Sequence, residues 1–277
     1  MIKFRIFKII IGFADILYRK IKFLIFRNIQ EICIMKIIPL KEGNFVASPT
    51  KDFSLLATEK IELAQGIKMS VQPFLIITKH DYIILDTGLG WKNENDKTVI
   101  SEILEKNSIT PDQITKVLLS HLHKDHIEGA IQYTEHGFEA TFPNADIYIQ
   151  KRELEYAMEN KGNPSFDFNT LEKLIQLPNI VWMNDDKGHI TDEITFEVVG
   201  GHTPFMQVFW ITEGGETAFY GADDLPQEAY LLYHLAYKSD FDGRKAMELR
   251  QIWEKEAEEN HWKILLYHDL DSAFKQF

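Results

Sequence analysis

Four side chains that can bind a divalent metal lie within one six-residue segment, at His121, His123, Asp125 and His126. Imidazole nitrogens suit borderline metals such as zinc, and a carboxylate adds an oxygen ligand. In an extended chain His121 and His123 point to the same side, and a tighter path through Asp125 and His126 would aim those two at a neighbouring point. The spacing therefore predicts a loop that begins two metal sites, rather than a surface loop of four solvated polar residues.

Further ligands are expected on other loops, because one short loop supplies only part of two coordination shells. Three residues meet this expectation, and each stands where an apolar, strand-like run meets a loop: His202, Asp223 and His268. The run 116–120 leads into the first cluster in the same way. Together these positions provide seven ligands, which is enough for two metals.

In these residues the chain resembles the metallo-β-lactamase superfamily of dinuclear metal hydrolases. The family's motif of two His, an Asp and a His matches residues 121–126. The resemblance covers most of the sequence from about Met35 onward and includes further matches in the family's order: the Asp86-Thr87-Gly88 turn, His202, Asp223 and His268.

The resemblance implies two Zn²⁺ ions, although mixed ligand sets of this kind also accept Mn, Fe or Co. Each ion would have three ligands of its own: His121, His123 and His202 for one, and Asp125, His126 and His268 for the other. Asp223 would bridge them, with a hydroxide between the ions.

Such a site is hydrolytic, because two divalent ions ~3.5–4 Å apart lower the pKa of a bound water towards ~7. Asp125 and Asp223 are the predicted catalytic carboxylates, and Asp223 is expected to pass a proton to the leaving group. Asp86 is expected either to orient a ligand imidazole or to be only a turn residue before Gly88.

Several branches of the superfamily match poorly. Relatives that use two irons for redox chemistry carry Glu where this chain has His123. The only cysteine is Cys33, outside the motifs, which disfavours zinc β-lactamases with a Cys ligand. Residues 35–277 hold 23 Lys and Arg against 40 Asp and Glu, and such a surface repels a nucleic-acid backbone. The glyoxalase II, lactonase and phosphotriesterase branches remain, so the expected partner is a small-molecule substrate.

The predicted substrate pocket departs from these relatives. The family often continues the His-Thr-Pro turn with Gly-His, but Phe205 and Met206 follow here, which predicts an apolar side chain beside the metal loop. Lactonases carry a Tyr where this chain has Pro226, which weakens a lactonase assignment. The segment 228–237 is then predicted to be a helix with one polar and aromatic face: Tyr230, Tyr233, His234 and Tyr237. We interpret this face as a pocket wall, with a dimer interface or a half-exposed face as alternatives.

Residues 35–277 have the pattern of one hydrolase domain. Short apolar runs alternate with helical stretches, the longest of them from about 243 to 260, and Gly214-Gly215 marks a hairpin. Strands mixed with helices in both halves suit two packed sheets with helices outside. The resemblance implies the same α/β (α+β) fold, a four-layer αββα sandwich of two mixed β-sheets with helices on the outer faces.

Residues 1–34 differ in composition from the rest, with seven Lys and Arg against two Asp and Glu. Their apolar runs are too short for a spanning helix. They are interpreted either as a basic interfacial helix, which would be the only route to membrane contact, or as an extension without functional consequence. One cysteine allows no disulfide within a chain, which agrees with the expected cytoplasmic location. The expected protein is a monomer or a homodimer.

These features together predict a dizinc hydrolase that acts on an ester-like bond, with a lactone or carboxylic ester as the first choice. A thioester or phosphotriester hydrolase with the same site is the alternative. A non-catalytic scaffold that binds a metal or a partner is a third interpretation, which the complete ligand set argues against.

Overall fold

The computed structural model describes residues 35–56 and 65–277. The predictions made for residues 1–34, including the interfacial helix and the boundary at Met35, lie outside the described residues. Within the described ranges, none of the helices has the length and apolar character needed to cross a membrane.

The first large sheet is mixed. Its six strands are, in spatial order, β1 (Lys36–Pro39), β5 (Phe74–Ile77), β6 (Tyr82–Leu85), β7 (Lys116–Leu118), β10 (Asp146–Gln150) and β11 (Ile180–Met183). The pairs β1 with β5 and β5 with β6 are antiparallel, and the remaining pairs are parallel. Most of these strands are buried runs of Val, Ile and Leu, as expected where helices cover one face and a second sheet covers the other.

The second large sheet also has six strands. In spatial order they are β12 (Lys187–His189), β13 (Ile194–Val198), β14 (Gln207–Glu213), β15 (Glu216–Tyr220), β16 (Lys263–Leu265) and β17 (Phe274–Gln276). Only β15 and β16 pair in parallel. The predicted hairpin between β14 and β15 is confirmed, and Gly214 and Gly215 have φ angles of 60° and 85°, which glycine adopts without strain.

Smaller elements complete the domain. A three-stranded sheet and a hairpin contain β2 (Gly43–Ala47), β3 (Phe53–Leu55), β4 (Ile67–Val71), β8 (Ile131–Thr134) and β9 (Gly137–Ala140). The α-helices of the described residues are α1 (Val99–Lys106), α2 (Lys124–Ile127), α3 (Lys151–Glu159), α4 (Phe168–Leu174), α5 (Ala229–Tyr233) and α6 (Gly243–Asn260).

Alternating side chains of the sheets build the layers. In β5, Phe74 and Ile76 belong to the core between the sheets, whereas Leu75 packs with the helices α1, α3 and α4 on the other face. On the outer face of the second sheet, Phe219 packs against Trp253 of α6, with ring centroids 5.0 Å apart. Burying each such side chain contributes about 1.5–3 kcal/mol. The predicted four-layer αββα sandwich is confirmed.

The helix predicted over 228–237 is wrong in its length. It ends at Tyr233, and His234 adopts a left-handed conformation with φ 43°. The buried guanidinium of Arg250 donates a hydrogen bond to the carbonyl of Leu235, beyond the end of the helix. Tyr237 folds back to stack on Tyr230, with centroids 4.5 Å apart. The four aromatic and polar positions therefore share no common helical face.

Candidate metal centre

The seven residues singled out as ligands meet at one place in the fold, although they lie far apart in the chain. They occupy loops that follow four strands drawn from both large sheets, namely β7, β13, β15 and β16. Because each strand ends at the same edge of the sandwich, its loop delivers one or more ligand-type side chains there: His121, His123, Asp125, His126, His202, Asp223 and His268.

One group of three imidazoles contains His121, His123 and His202. His123 Nδ1 lies 3.1 Å from His121 Nε2 and 3.0 Å from His202 Nε2. Tetrahedral zinc ligands with Zn–N bonds of about 2.0–2.1 Å have nitrogens roughly 3.3 Å apart. The three nitrogens therefore stand at nearly the separation that a shared ion requires.

A second group contains Asp125, His126 and His268. Asp125 Oδ2 lies 3.6 Å from His268 Nε2 and 4.0 Å from His126 Nε2.

Asp223 faces both groups. Its Oδ1 lies 3.2 Å from His126 Nε2 and 3.1 Å from His268 Nε2, while its Oδ2 lies 3.3 Å from His202 Nε2. Each carboxylate oxygen of Asp223 is thus directed at one of the two groups, which is the arrangement that a bridging ligand needs.

The protonation of the imidazoles makes the cluster a fit for a cation. Nδ1 of His126 donates to Asp86 Oδ2 at 2.7 Å, and Nδ1 of His268 donates to the carbonyl of Ser70 at 2.7 Å. In a neutral ring the opposite nitrogen, Nε2, then carries a lone pair. Both Nε2 atoms and Asp223 Oδ1 are buried and accept no hydrogen bond within the described residues. Leaving three buried acceptors unpaired would cost about 1–3 kcal/mol each, so the donor set fits a shared divalent metal.

Burial also favours the neutral imidazoles that metals bind. Desolvation, followed by the charges of neighbouring histidines, lowers the pKa of His121 and, in the same way, that of His123. Desolvation alone would raise the pKa of Asp223, but His268, His126 and His202 together hold it well below its usual range. Desolvation would also lower the pKa of His126 and of His202, but Asp223 and other carboxylates raise both, so burial holds only His121 and His123 neutral beside an ionised Asp223.

Asp86 is buried at the centre of a dense hydrogen-bond network. It accepts from the Ser120 N–H at 2.7 Å, the Ser120 hydroxyl at 2.6 Å, the Tyr220 hydroxyl at 2.5 Å and His126 Nδ1 at 2.7 Å. Its φ of 52° is uncommon outside glycine and is maintained by these contacts. Four donors occupy the carboxylate, so its geometry suits orientation of His126 rather than direct ligation.

The position of His202 depends on two carboxylates that the sequence did not indicate. Asp240 Oδ1 accepts from His202 Nδ1 at 2.8 Å, and Asp224 Oδ1 accepts from the His202 backbone N–H at 2.7 Å. Buried Arg250 in turn donates to the Asp224 carbonyl at 2.8 Å. Asp224 adjoins Asp223, which is a weak signal. Asp240 lies 38 residues beyond His202 in a segment without regular pattern, and nothing in the sequence marks it.

A buried glutamate in α3 links two metal loops. Glu153 accepts from the Phe205 N–H at 3.2 Å and lies near Thr203 and the Leu122 N–H. Burial raises the pKa of Glu153 to about 7, against the lowering effect of these neighbours. Its side chain thus ties the loop that carries His202 to the loop that begins at His121.

A cleft of about 250 Å³ opens onto this cluster. Besides His123 and His202, its walls include polar and apolar side chains from five segments: Lys51, Ile67, Tyr156, Asn163, Ser165, Thr203, Ser239, Asp240 and Phe241. None of the five residues predicted as pocket wall lines this cleft, and their role towards a substrate stays a prediction.

The predicted wall residues have other contacts. The Phe205 ring packs under the Arg152 guanidinium at 5.1 Å, because the loop turns it away from the cluster. Tyr233 is 67% exposed, and His234 Nε2 lies 3.5 Å from a carboxylate oxygen of Glu254. Tyr230 and Tyr237 stack on each other, and burial, followed by the charges of Tyr237 and Asp223, raises the pKa of Tyr230.

Comparison with known families agrees with this geometry. Residues 68–259, more than half of the chain, match the family model described as the metallo-beta-lactamase superfamily. The chain therefore belongs to this superfamily, and the resemblance inferred from the motif is confirmed. Six of the seven clustered residues fall inside the matched range, and His268 lies just beyond its end.

Solved structures share the fold at low sequence identity. A probable metal-dependent hydrolase from Staphylococcus aureus has a TM-score of 0.70 and 18% identity, covering 89% of this chain and 93% of that one. AidC, described as a dizinc quorum-quenching lactonase in complex with a product, has a TM-score of 0.64 and 22% identity over 89% and 91%. An N-acyl homoserine lactone hydrolase with N-hexanoyl-L-homoserine at its catalytic metal centre has a TM-score of 0.61 and 19% identity over 85% and 94%. No curated protein sequence matches the chain. Superfamily membership and the buried donor cluster together support a metal-dependent hydrolase.

Proposed function

We propose that this protein is a dizinc hydrolase that cleaves a lactone or another carboxylic ester. The observation that carries the proposal is the position of Asp223, with one oxygen towards His202 and the other towards His126 and His268. An ion at the first group alone would leave His126 Nε2 and His268 Nε2, which have no partner among the described residues, still unpaired.

The seven clustered side chains would divide between two ions. His121, His123 and His202 would hold one ion, Asp125, His126 and His268 the other, and Asp223 both. Two divalent ions bound there would supply Lewis acidity that polarises a carbonyl and lowers the pKa of water to about 7.

Asp223 is the group placed to move a proton. In ester hydrolysis the oxygen of water bonds to the carbonyl carbon, the bond from that carbon to the alkoxy oxygen breaks, and the leaving oxygen takes a proton. Its imidazole neighbours keep the pKa of Asp223 low against burial, so the carboxylate is ionised, as a group that receives a proton must be. Asp125, whose Oδ2 lies 3.6 Å from His268 Nε2, would complete the second ligand group.

The size and surroundings of the cleft favour a small ester. Its volume of about 250 Å³ lies below the usual ~300–1,000 Å³ of ligand pockets, so the part of the substrate that enters it is compact. Apolar side chains of Ile67, Tyr156 and Phe241 share its walls with polar groups. Two of the similar structures are described as lactonases that hold a hydrolysed product, which makes lactones the first class to test.

The test is a hydrolysis panel on protein of measured zinc content. The panel contains lactones, carboxylic esters, thioesters, phosphotriesters and β-lactams. His123→Ala removes a ligand, and His136→Ala, which changes an exposed imidazole in the turn between β8 and β9, is the matched control. Preference for lactones or esters that is lost in His123→Ala and kept in His136→Ala supports the proposal. A preference for thioesters or phosphotriesters would replace lactones and esters as the substrate class. Zinc-loaded protein that is inert on the whole panel would point to the scaffold interpretation.

A further inference from the structure

Lys51 stands where the cleft over the metal centre meets a second depression. It lines the cleft of about 250 Å³ together with His123 and His202. It also lines an adjoining groove of about 370 Å³, with Trp91 and Lys124 among the other walls. A substrate too large for the small cleft would therefore extend past the Lys51 side chain into the adjoining groove.

The two half-buried lysines at this junction lack acidic partners. Within residues 35–56 and 65–277, neither Lys51 nor Lys124 lies within salt-bridge distance of a carboxylate, whereas Lys92 of the same groove is 2.8 Å from Asp96. The carboxylate of Asp52, the residue after Lys51, accepts a hydrogen bond from the Thr50 hydroxyl at 2.5 Å. In a chain with 42 acidic and 30 basic residues, two cations without a salt bridge beside one cleft stand out, and they lie in a groove whose walls also include Asp52 and Glu128.

A tight turn holds Lys51 in place. The Lys51 N–H donates to the Ser48 carbonyl at 2.9 Å, and the Ser48 N–H donates to the Asp52 carbonyl at 3.0 Å. The turn requires a φ of 56° at Lys51, a left-handed conformation that glycine and asparagine adopt more easily. Strained positions of this kind cluster at functional sites, so a lysine at this position points to a use for its charge.

Part of the cleft wall is apolar. Phe241 and Ile67 are 63% and 55% exposed, and Phe241 packs edge-on against Tyr156 with centroids 6.3 Å apart. Exposed apolar side chains and an ammonium group around one cleft match a substrate with a hydrocarbon part and a charged part.

We propose that the substrate is an ester that carries a separate anionic group, and that this group binds the Lys51 ammonium while the ester lies beside His123 and His202. Lys124 adds a second positive charge in the adjoining groove. The inference rests on the proposed function and extends it to a substrate class. The inference requires only that the anionic group is not part of the ester bond that is cleaved.

The test compares two esters that differ only in charge, 4-nitrophenyl butyrate and mono-4-nitrophenyl succinate. The variants are Lys51→Met, which keeps the length of the side chain, Lys51→Arg, which keeps its charge, and Lys187→Met, which removes an exposed lysine of β12. A hydrogen bond to a charged group corresponds to about a 10- to 100-fold effect. We expect Lys51→Met to lower kcat/KM for the succinate at least tenfold more than for the butyrate, mainly through KM.

Two further results are expected from the same design. Lys51→Arg should restore most of the preference for the succinate, and Lys187→Met should leave the ratio of the two substrates at the wild-type value. Added salt should lower the wild-type preference, because it screens a partly exposed pair. A ratio that is equal in wild type and Lys51→Met overturns the inference.

Binding without turnover separates this inference from the proposed function. The succinate and butyrate 4-nitroanilides, which are amide counterparts of the two esters, are titrated into zinc-loaded wild type and Lys51→Met by calorimetry. Tighter binding of the succinate anilide that is lost in Lys51→Met supports the role of Lys51 even if neither ester is hydrolysed, in which case the proposed ester hydrolysis alone fails. Equal affinities of both anilides for both proteins overturn the role of Lys51, whatever the activity.

Discussion

Replacing Asp240 should weaken one of the two predicted metal sites and leave the other almost unchanged. Asp240 accepts a hydrogen bond from His202 Nδ1 at 2.8 Å, and His202 Nε2 faces His123 and Asp223. A carboxylate behind a ligand imidazole fixes its ring orientation and raises the basicity of the ligating nitrogen. Asp240 supports only the site that contains His202, because the imidazoles of the other site bond Asp86 and the Ser70 carbonyl instead.

The expected size follows from the kind of hydrogen bond that is lost. A bond to a charged group contributes about 1.5–3 kcal/mol and a neutral bond about 0.5–1.5 kcal/mol. Asp240→Asn keeps an acceptor oxygen but loses the charge, so about 1–1.5 kcal/mol is at stake, which is roughly a 5- to 12-fold loss of affinity. Asp240→Ala removes the whole bond and should cost about 10- to 100-fold, in line with other residues behind metal ligands.

Metal affinity is measured by competition with a chromophoric zinc chelator, and the number of bound ions is measured by native mass spectrometry. At limiting zinc we expect wild type to carry two ions and Asp240→Ala one. Asp271→Asn, which removes an exposed carboxylate outside the cluster, is the control. Equal weakening of both sites, or less than a threefold change at the site that contains His202, would refute the assignment of Asp240 to His202.

Three other predictions follow from the described contacts. Asp223→Ala should lower both zinc content and turnover, because one side chain faces both ligand groups; unchanged activity would remove Asp223 from the site. Burial raises the pKa of Glu42 to about 7 from 4.5. Its favourable contribution to the free energy of unfolding is therefore complete below about pH 4.5 and is lost as pH rises through about 7, by up to about 3 kcal/mol. The unfolding free energy of Glu42→Gln relative to wild type should therefore rise between pH 5 and 8 in urea melts, and a flat difference would contradict this account. Gly129→Ala places a Cβ 1.9 Å from the Thr87 carbonyl oxygen, whereas Gly188→Ala meets only the Phe196 ring at 3.3 Å; thermal melts should show a loss above about 3 kcal/mol for the first variant and a clearly smaller one for the second.

Local sequence patterns were sufficient for the layers of the fold and for the residues that cluster at the candidate metal centre. The buried runs of the strands and the amphipathic α6 follow from periodicity within a few residues, and α6 occupies 243–260 as predicted. The histidines of 121–126 are informative because their density is hard to explain by packing. For His202, Asp223 and His268 the useful signal was again local, an apolar run followed by a ligand-type residue.

The residues that hold the ligand-type side chains in position could not be predicted in the same way. Glu153, Asp224 and Asp240 are acidic residues among 42 in the chain, and each acts through a contact that only the tertiary structure creates. Glu153 has the same local pattern as any polar residue of a surface helix, yet it is 1% exposed because α3 packs against the metal loops. Lys51 has no pattern at all, since its proposed role depends on a turn and on a cleft whose other walls come from positions between 67 and 241.

The error in the predicted helix and the missed Asp240 have one physical origin. At His234 the chain takes a left-handed turn, so the helix ends and the following segment crosses towards the cluster. There the Phe241 N–H donates to the His202 carbonyl at 3.1 Å and the Asp242 N–H to the Gly201 carbonyl at 2.8 Å. These two bonds bring the Asp240 carboxylate to His202 Nδ1. A helix that continued to 237 would remove this docking, so the local propensity for a longer helix is overridden by contacts that complete the metal centre.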